Sequence, residues 1–198
     1  MKPGLWVSIG TADPNSKIYK QHPEWFVKDK NGNPISLVIY DPDKYTACFS
    51  TEWYGYIKGV LNKLIGEYGL EYLKSDFSVV TSPYRFDIAE SGCYATNRPG
   101  HKDHSESLYA NYEPMWKLFD ELHQFKPELF IDCTFETLGG LQLIDYAMLK
   151  HAERNWLSNY NGPDSKIDLR IRNMAWWRSP AVQATALVIG NPEMQDSG

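Results

Sequence analysis

Trp53, Ile57, Val60, Leu61, Leu64, Ile65 and Tyr68 recur at helical spacing, Gly69 follows, and the chain runs at once into Leu70-Glu71-Tyr72-Leu73-Lys74-Ser75-Asp76. The spacing predicts an amphipathic helix, the glycine its stop, and the next run a buried strand with a charged tip. Helix, glycine and polar-tipped strand make up the unit of a βα repeat. In such repeats, polar groups collect at the C-terminal edge of a parallel sheet.

The alternation extends in both directions. Leu5-Trp6-Val7-Ser8-Ile9, bounded by glycines, predicts a strand, and Leu37-Val38-Ile39-Tyr40 predicts another, ended by Asp41-Pro42-Asp43. A long polar loop is expected from about Thr81 to Ser107, a length usually reserved for function or disorder. A helix then carries Met115, Phe119 and Leu122 inward, with Pro114 expected in its first turn; Pro127 ends it. Leu129-Phe130-Ile131-Asp132-Cys133 reads as the next strand, and Gly139-Gly140 opens a helix with Leu141, Ile144 and Met148 on one face. Trp156-Leu157-Ser158-Asn159 is a short strand candidate, followed by the turn Asn161-Gly162-Pro163-Asp164. A helical stretch from about Asp168 to Pro180 and a strand at Ala186-Leu187-Val188-Ile189-Gly190 complete the pattern. The expected class is α/β, a parallel sheet with crossover helices and no hairpin meander. The alternation alone does not separate a closed barrel from an open doubly wound sheet.

Composition removes several functions. With 20 Lys+Arg against 25 Asp+Glu the net charge is −5, the wrong sign for a nucleic-acid partner. No apolar run approaches the roughly 20 residues of a membrane span, and the N-terminus shows no export signal. No membrane partner is therefore expected. Neither GxGxxG nor GxxxxGK[ST] follows a predicted strand, and no cofactor is expected. Cys48, Cys93 and Cys133 form no CxxC, which disfavours a disulfide scaffold or a zinc ribbon. The 7 Trp and 13 Tyr supply faces that stack on sugar rings, although the same faces fill ordinary cores.

Among candidate chemical groups, Asp76 stands out because it ends an apolar strand two residues from Lys74, so the pleat points both side chains one way. A carboxylate beside a cation suits a nucleophile; it also suits a plain strand-end salt bridge. His101, Asp103 and His104 could bind a metal, as in a metal-dependent hydrolase, or form a solvated or substrate-contacting loop. Cys133 is open to reading as a nucleophile or as a small buried or pocket-lining thiol. Ser158 lacks a GxSxG context, and the Trp176-Trp177 pair reads as packing.

Gly4-Leu5-Trp6, His22-Pro23-Glu24-Trp25, Tyr72-Leu73-Lys74-Ser75-Asp76 and Asp132-Cys133 with Gly139-Gly140 resemble, in that order, the barrel of the melibiase-type glycosidases. These are the α-galactosidases and α-N-acetylgalactosaminidases of glycoside hydrolase family 36 and its relatives. The likeness runs from about Gly4 to Pro192. It implies a (β/α)8 barrel in one partial catalytic domain over residues 1–198, covering about the third to the sixth or seventh strand. It implies retaining hydrolysis of α-linked galactose or related sugars, with an oligosaccharide or glycoside as substrate. By resemblance Asp76 is the nucleophile, Lys74 binds sugar hydroxyls, Cys133 lines the sugar pocket, and Trp6, Gly139, Gly140 and Asp164 contact substrate.

Three departures accompany the likeness. Ser75 replaces a tryptophan, and the glycine cluster becomes Thr134-Phe135-Glu136-Thr137-Leu138-Gly139-Gly140. Asn159 stands where the family carries its acid/base carboxylate, and an amide supplies no proton to a leaving group. That leaves an impaired enzyme, a deliberate exchange, a replacement acid such as Asp164 or Glu136, or a sugar-binding pseudoenzyme. Because a complete barrel takes about 250 residues, the chain is expected to be part of a longer protein or to close its barrel against another chain, a homo-oligomer partner included.

Overall fold

The computed structural model describes residues 2–38, 41–76, 92–133 and 147–155. In chain order these form β1 (Gly4–Ser8), β2 (Thr11–Ala12), α1 (Lys17–Gln21), a 3-10 turn at Pro23–Trp25, β3 (Ser36–Val38), β4 (Asp41–Thr46) and α2 (Trp53–Gly66). There follow β5 (Tyr72–Asp76), α3 (His104–Phe125), β6 (Phe130–Cys133), a 3-10 turn at Met148–Lys150 and β7 (Arg154–Asn155). The predicted strand at Trp156–Asn159 and everything expected beyond it lie outside the described residues.

The parallel sheet expected from the sequence is present, in the order β1-β5-β6-β7. Its registers place Trp6 beside Lys74, Ser8 beside Asp76, Lys74 beside Asp132 and Ser75 beside Cys133. Because side chains alternate along a strand, the sheet has two chemically different faces. Leu73, Ser75, Ile131 and Cys133 are fully buried and face the helices, while Tyr72, Lys74 and Asp76 take the other side. The helices α2 and α3 cover the apolar face. Trp53, Ile57, Leu61 and Ile65 from α2 meet Met115, Leu118, Phe119 and Leu122 from α3 in one core. Each fully buried side chain of this size stabilises by roughly 1.5–3 kcal/mol, so this shared core holds the sheet in place.

A second, antiparallel sheet accompanies the parallel one; the expected parallel α/β alternation did not include it. The strands β2, β4 and β3 pair antiparallel between β1 and α2. Its nearby turn is built on Asp29, whose carboxylate accepts the backbone N–H of Asn31 and of Asn33, both at 2.8 Å. Gly32 between them takes φ +83°, a left-handed conformation that suits glycine. Trp53, at the start of α2, ties that helix to the segment after β1 by donating its indole N–H to the Ile9 carbonyl at 3.0 Å.

Helix α3 also begins earlier than expected. Asp103 caps it, accepting from the N–H of Ser105 at 2.8 Å and of Glu106 at 3.0 Å, while Glu106 accepts from Lys102 N at 2.9 Å. Pro114 therefore lies inside the helix and not in its first turn. The cost of a proline there is set against the buried residues that follow it on the same face.

The C-terminal end of α3 is anchored to the sheet through charge. His123 Nε2 lies 2.9 Å from Glu153 Oε1 and 3.2 Å from the Leu129 carbonyl, and Glu153 Oε2 accepts from Ile131 N at 2.7 Å. The hydrogen bond to Glu153 raises the His123 pKa against the opposing effect of burial. Burial pushes Glu153 up, but His123 and the Ile131 N–H outweigh it and hold the carboxyl below its usual value. A raised histidine stabilises below its unfolded value and loses that contribution as pH climbs through its folded one. A lowered glutamate stabilises above its unfolded value and loses it as pH falls. The pair thus contributes most between about pH 4.3 and 6.5. Glu153→Gln should cost on the order of 0.5–1 kcal/mol in that window, given the partial exposure of the pair, and less above it. Urea unfolding at about pH 5.5 and about pH 9 checks this; an equal cost at both would contradict it.

Candidate functional site

At the C-terminal edge of the main sheet, the polar face of β5 meets β1. The parallel register sets Trp6 against Lys74, and the next matching pair on that face is Ser8 and Asp76. The Trp6 indole N–H donates to Asp76 Oδ2 at 2.6 Å, and Lys74 Nζ lies 3.9 Å from the same oxygen. The backbone at the strand tip is tied down as well, since Ile9 N donates to the Asp76 backbone carbonyl at 3.2 Å. The side chains of Lys74 and Asp76 are only 17% and 15% exposed, whereas Trp6 is 51% exposed. A sheltered carboxylate is therefore bordered by an open aromatic face. That combination offers a hydrogen-bonding anion and cation beneath an apolar platform on which a ring can stack.

One strand further, Asp132 occupies the same face as Lys74 and is fully buried. Its Oδ2 accepts from the Tyr72 hydroxyl at 2.5 Å and lies 3.9 Å from Arg154 Nε, while its Oδ1 has no hydrogen-bond partner among the described residues. Burial first, and then the bond and charge of Asp132, push the Tyr72 phenol up to about 12. A buried acid in a strand that otherwise reads as apolar was missed as a functional candidate. The signal was available, because Asp132 falls at the same strand depth as Lys74.

Of the residues singled out from sequence, Trp6, Lys74 and Asp76 are brought together. Cys133 is not: its register partner is Ser75, and both sit in the core on the helix side. The strand alternation that aims Asp132 toward Lys74 necessarily turns Cys133 away. Gly139, Gly140, Asn159 and Asp164 lie outside the described residues, as do Glu136, Ser158 and the Trp176-Trp177 pair.

The histidine cluster is split up. Asp103 is spent on capping α3, with the Glu106 N–H foremost in holding its carboxyl below the usual range. His104 stacks on Tyr94 at 4.5 Å between ring centroids. His101 is buried and approaches Cys48 and Cys93 instead. Among the described residues, this Cys48–Cys93–His101 group is the set whose atoms could jointly hold a metal ion. Its elements are the segment after β4 and the segment leading into α3.

The chain matches the melibiase family model over residues 1–196. It is 26% identical over 170 residues to Alpha-galactosidase 2 of Pediococcus pentosaceus, covering 82% of this chain and 20% of that protein. Among solved structures it is similar to the family 36 α-galactosidase AgaB of Geobacillus stearothermophilus, with a TM-score of 0.64 at 18% identity, over 87% of this chain and 21% of that one. A variant of AgaA from the same organism, in complex with stachyose, superposes with a TM-score of 0.62 at 19% identity, over 88% of this chain and 22% of that one. The chain thus spans about a fifth of the length of the relatives it matches.

Tyr72→Phe removes the hydroxyl that satisfies buried Asp132, which should destabilise the fold by about 1–3 kcal/mol near neutral pH. A phenol raised in the folded state contributes stability below its unfolded value of about 10, and that contribution disappears as pH rises through the folded value. The gap between wild type and Tyr72→Phe in urea unfolding should accordingly narrow from about pH 10 upward. A gap that widens there would contradict the hydrogen bond.

Proposed function

The chain belongs to the melibiase family, and on that premise we propose that it forms part of the catalytic barrel of an α-galactosidase-type glycosidase, with Asp76 as nucleophile. The observation that carries this reading is the convergence of Trp6 Nε1 and Lys74 Nζ on Asp76 Oδ2 at the C-terminal end of a parallel strand. Active sites of (β/α)8 barrels are built at that end. A nucleophilic carboxylate must be held in one orientation against the anomeric carbon, and one hydrogen bond and a nearby cation on the same oxygen supply that restraint. In this reading Lys74 meets sugar hydroxyls, and the exposed Trp6 ring packs against the pyranose.

The four parallel strands correspond to an incomplete barrel, with β1 and β7 as edges among the described residues. An edge strand presents unpaired backbone groups, and Leu5 on β1 is exposed as well. The remaining barrel strands, from the same polypeptide or from another chain, complete the wall in this account. The relatives solved with stachyose bind that oligosaccharide, and an α-linked galactoside is the substrate class proposed for this chain.

Asn159 shapes the chemistry. A retaining mechanism needs a second carboxyl to protonate the leaving oxygen, and an amide has no such proton. The chain is therefore proposed to hold the sugar while turning over poorly. Leaving groups that depart without protonation should react far better than alkyl or sugar alcohols. A second reading, sugar binding without turnover, rests on the same asparagine.

An inactivator that traps the glycosyl-enzyme should label Asp76, located by peptide mapping; attachment to another carboxylate would overturn the assignment. Asn159→Asp should raise hydrolysis of an unactivated α-galactoside by about 10²–10⁴-fold, the usual contribution of general acid catalysis. If labelling of Asp76 succeeds and this exchange changes nothing, the role given to position 159 fails. Sugar binding in calorimetry with neither labelling nor turnover would favour the second reading.

A further inference from the structure

We propose that Cys48, Cys93 and His101 form a structural zinc site that clamps the antiparallel insertion to the start of α3. The three residues come from separate parts of the chain, Cys48 and His101 being 53 positions apart. Even so, one ligand atom from each lies within 4.8 Å of the other two, and all three residues are buried. His101 Nε2 stands 3.7 Å from Cys48 Sγ. Tetrahedral zinc, with bonds of about 2.3 Å to sulfur and about 2.0–2.1 Å to nitrogen, sets sulfur and nitrogen about 3.5 Å apart, so small shifts close the set. Two thiols and an imidazole are the soft and borderline donors that zinc selects.

The surroundings bring hydrogen-bond donors to both sulfur atoms. The backbone N–H groups of Lys28 and Ala95 and the charge of Arg98 surround Cys93. Both cysteines accept an N–H from the residue two positions on, Ser50 for Cys48 and Ala95 for Cys93. Asn111 adds a further donor, with Nδ2 3.7 Å from Cys48 Sγ; its orientation is fixed because Oδ1 accepts from Phe49 N at 2.5 Å.

His101 is buried and turns its Nε2 edge toward Cys48, while among the described residues its Nδ1 has no hydrogen-bond partner. The backbone is also shaped for the approach. A Cβ on Gly100 would come within 2.5 Å of Ser50 Cβ, and one on Gly92, at φ +93°, would collide with the His104 carbonyl. Gly100 thus lets the segment before His101 close onto Ser50 beside Cys48, and Gly92 lets the segment before Cys93 close onto the start of α3. The fourth position falls to Ser50 Oγ, 3.0 Å from Cys48 Sγ, or to a water molecule. The site shares no residue with the Trp6–Asp76 group and stands apart from the sugar chemistry.

The test uses the full chain, produced with zinc in the medium and purified under reductant. Elemental analysis after desalting should find about one zinc per chain, the count for a single tetrahedral site. Cys93→Ser and His101→Gln should each lose most of it. For variants that fold poorly, wild type alone suffices: a zinc chelator should lower its melting temperature, and cobalt added to the metal-free protein should give a thiolate-to-cobalt charge-transfer band. A wild type without zinc and without that band, variants that keep full zinc, or a Cys48–Cys93 disulfide in the protein as isolated would each overturn the proposal.

Discussion

The parallel pairing of β1 with β5 governs what this chain can do. Its register brings Trp6 level with Lys74 and carries the end of β1 alongside Asp76. The 2.6 Å bond from the Trp6 indole to Asp76 follows from that register. A shift of one residue would send Lys74 and Asp76 into the helix-side core and bring Leu73 and Ser75 to the open face. The register is held by burial, because Leu73, Ser75, Ile131 and Cys133 fit beneath α2 and α3 only when the odd positions of both strands face inward. Site geometry and core packing are therefore two results of one constraint.

The same alternation accounts for the reassignment on β6. A strand that sends Cys133 to the core must send Asp132 to the functional face, where Tyr72 and Arg154 receive it. Buried carboxylates need such partners, since an isolated one would cost several kcal/mol, on the order of the whole stability margin of a small domain. Asp132 thus supports the wall on which Lys74 and Asp76 are displayed. Ser75, where relatives of the resembling family carry a tryptophan, is small enough to be fully buried next to Cys133.

Much of this architecture was legible in the chain. The Trp53–Ile65 periodicity, the stop near Gly69 and the strand tip Lys74-Ser75-Asp76 specify an element pair whose local preferences and tertiary role agree, whereas Tyr68 lies past the helix end and is exposed. The antiparallel insertion was signalled by Asn31-Gly32, a strong turn dipeptide, but its short strands lack the alternation that a longer hairpin displays. The start of α3 was written as Asp103-Lys102-Glu106 capping chemistry, overshadowed by the polar residues before it. Pro114 misled because a local rule about helix interiors was overridden by the tertiary burial of Met115 and Phe119. The association of Cys48 with Cys93 and His101 had no local signature at all: it exists only once β4 and α3 are packed.

If the account is right, a sugar enters over the open Trp6 ring and comes to rest against the one sheltered carboxylate that the ring's N–H restrains. The most direct measurement is a crystal structure of this protein soaked with a galactose-configured iminosugar. The account predicts the sugar ring against Trp6, with the atom at the anomeric position about 3–3.5 Å from an Asp76 oxygen, the reach of a near-attack arrangement. An inhibitor bound elsewhere, with the Trp6–Asp76 edge untouched, would contradict it.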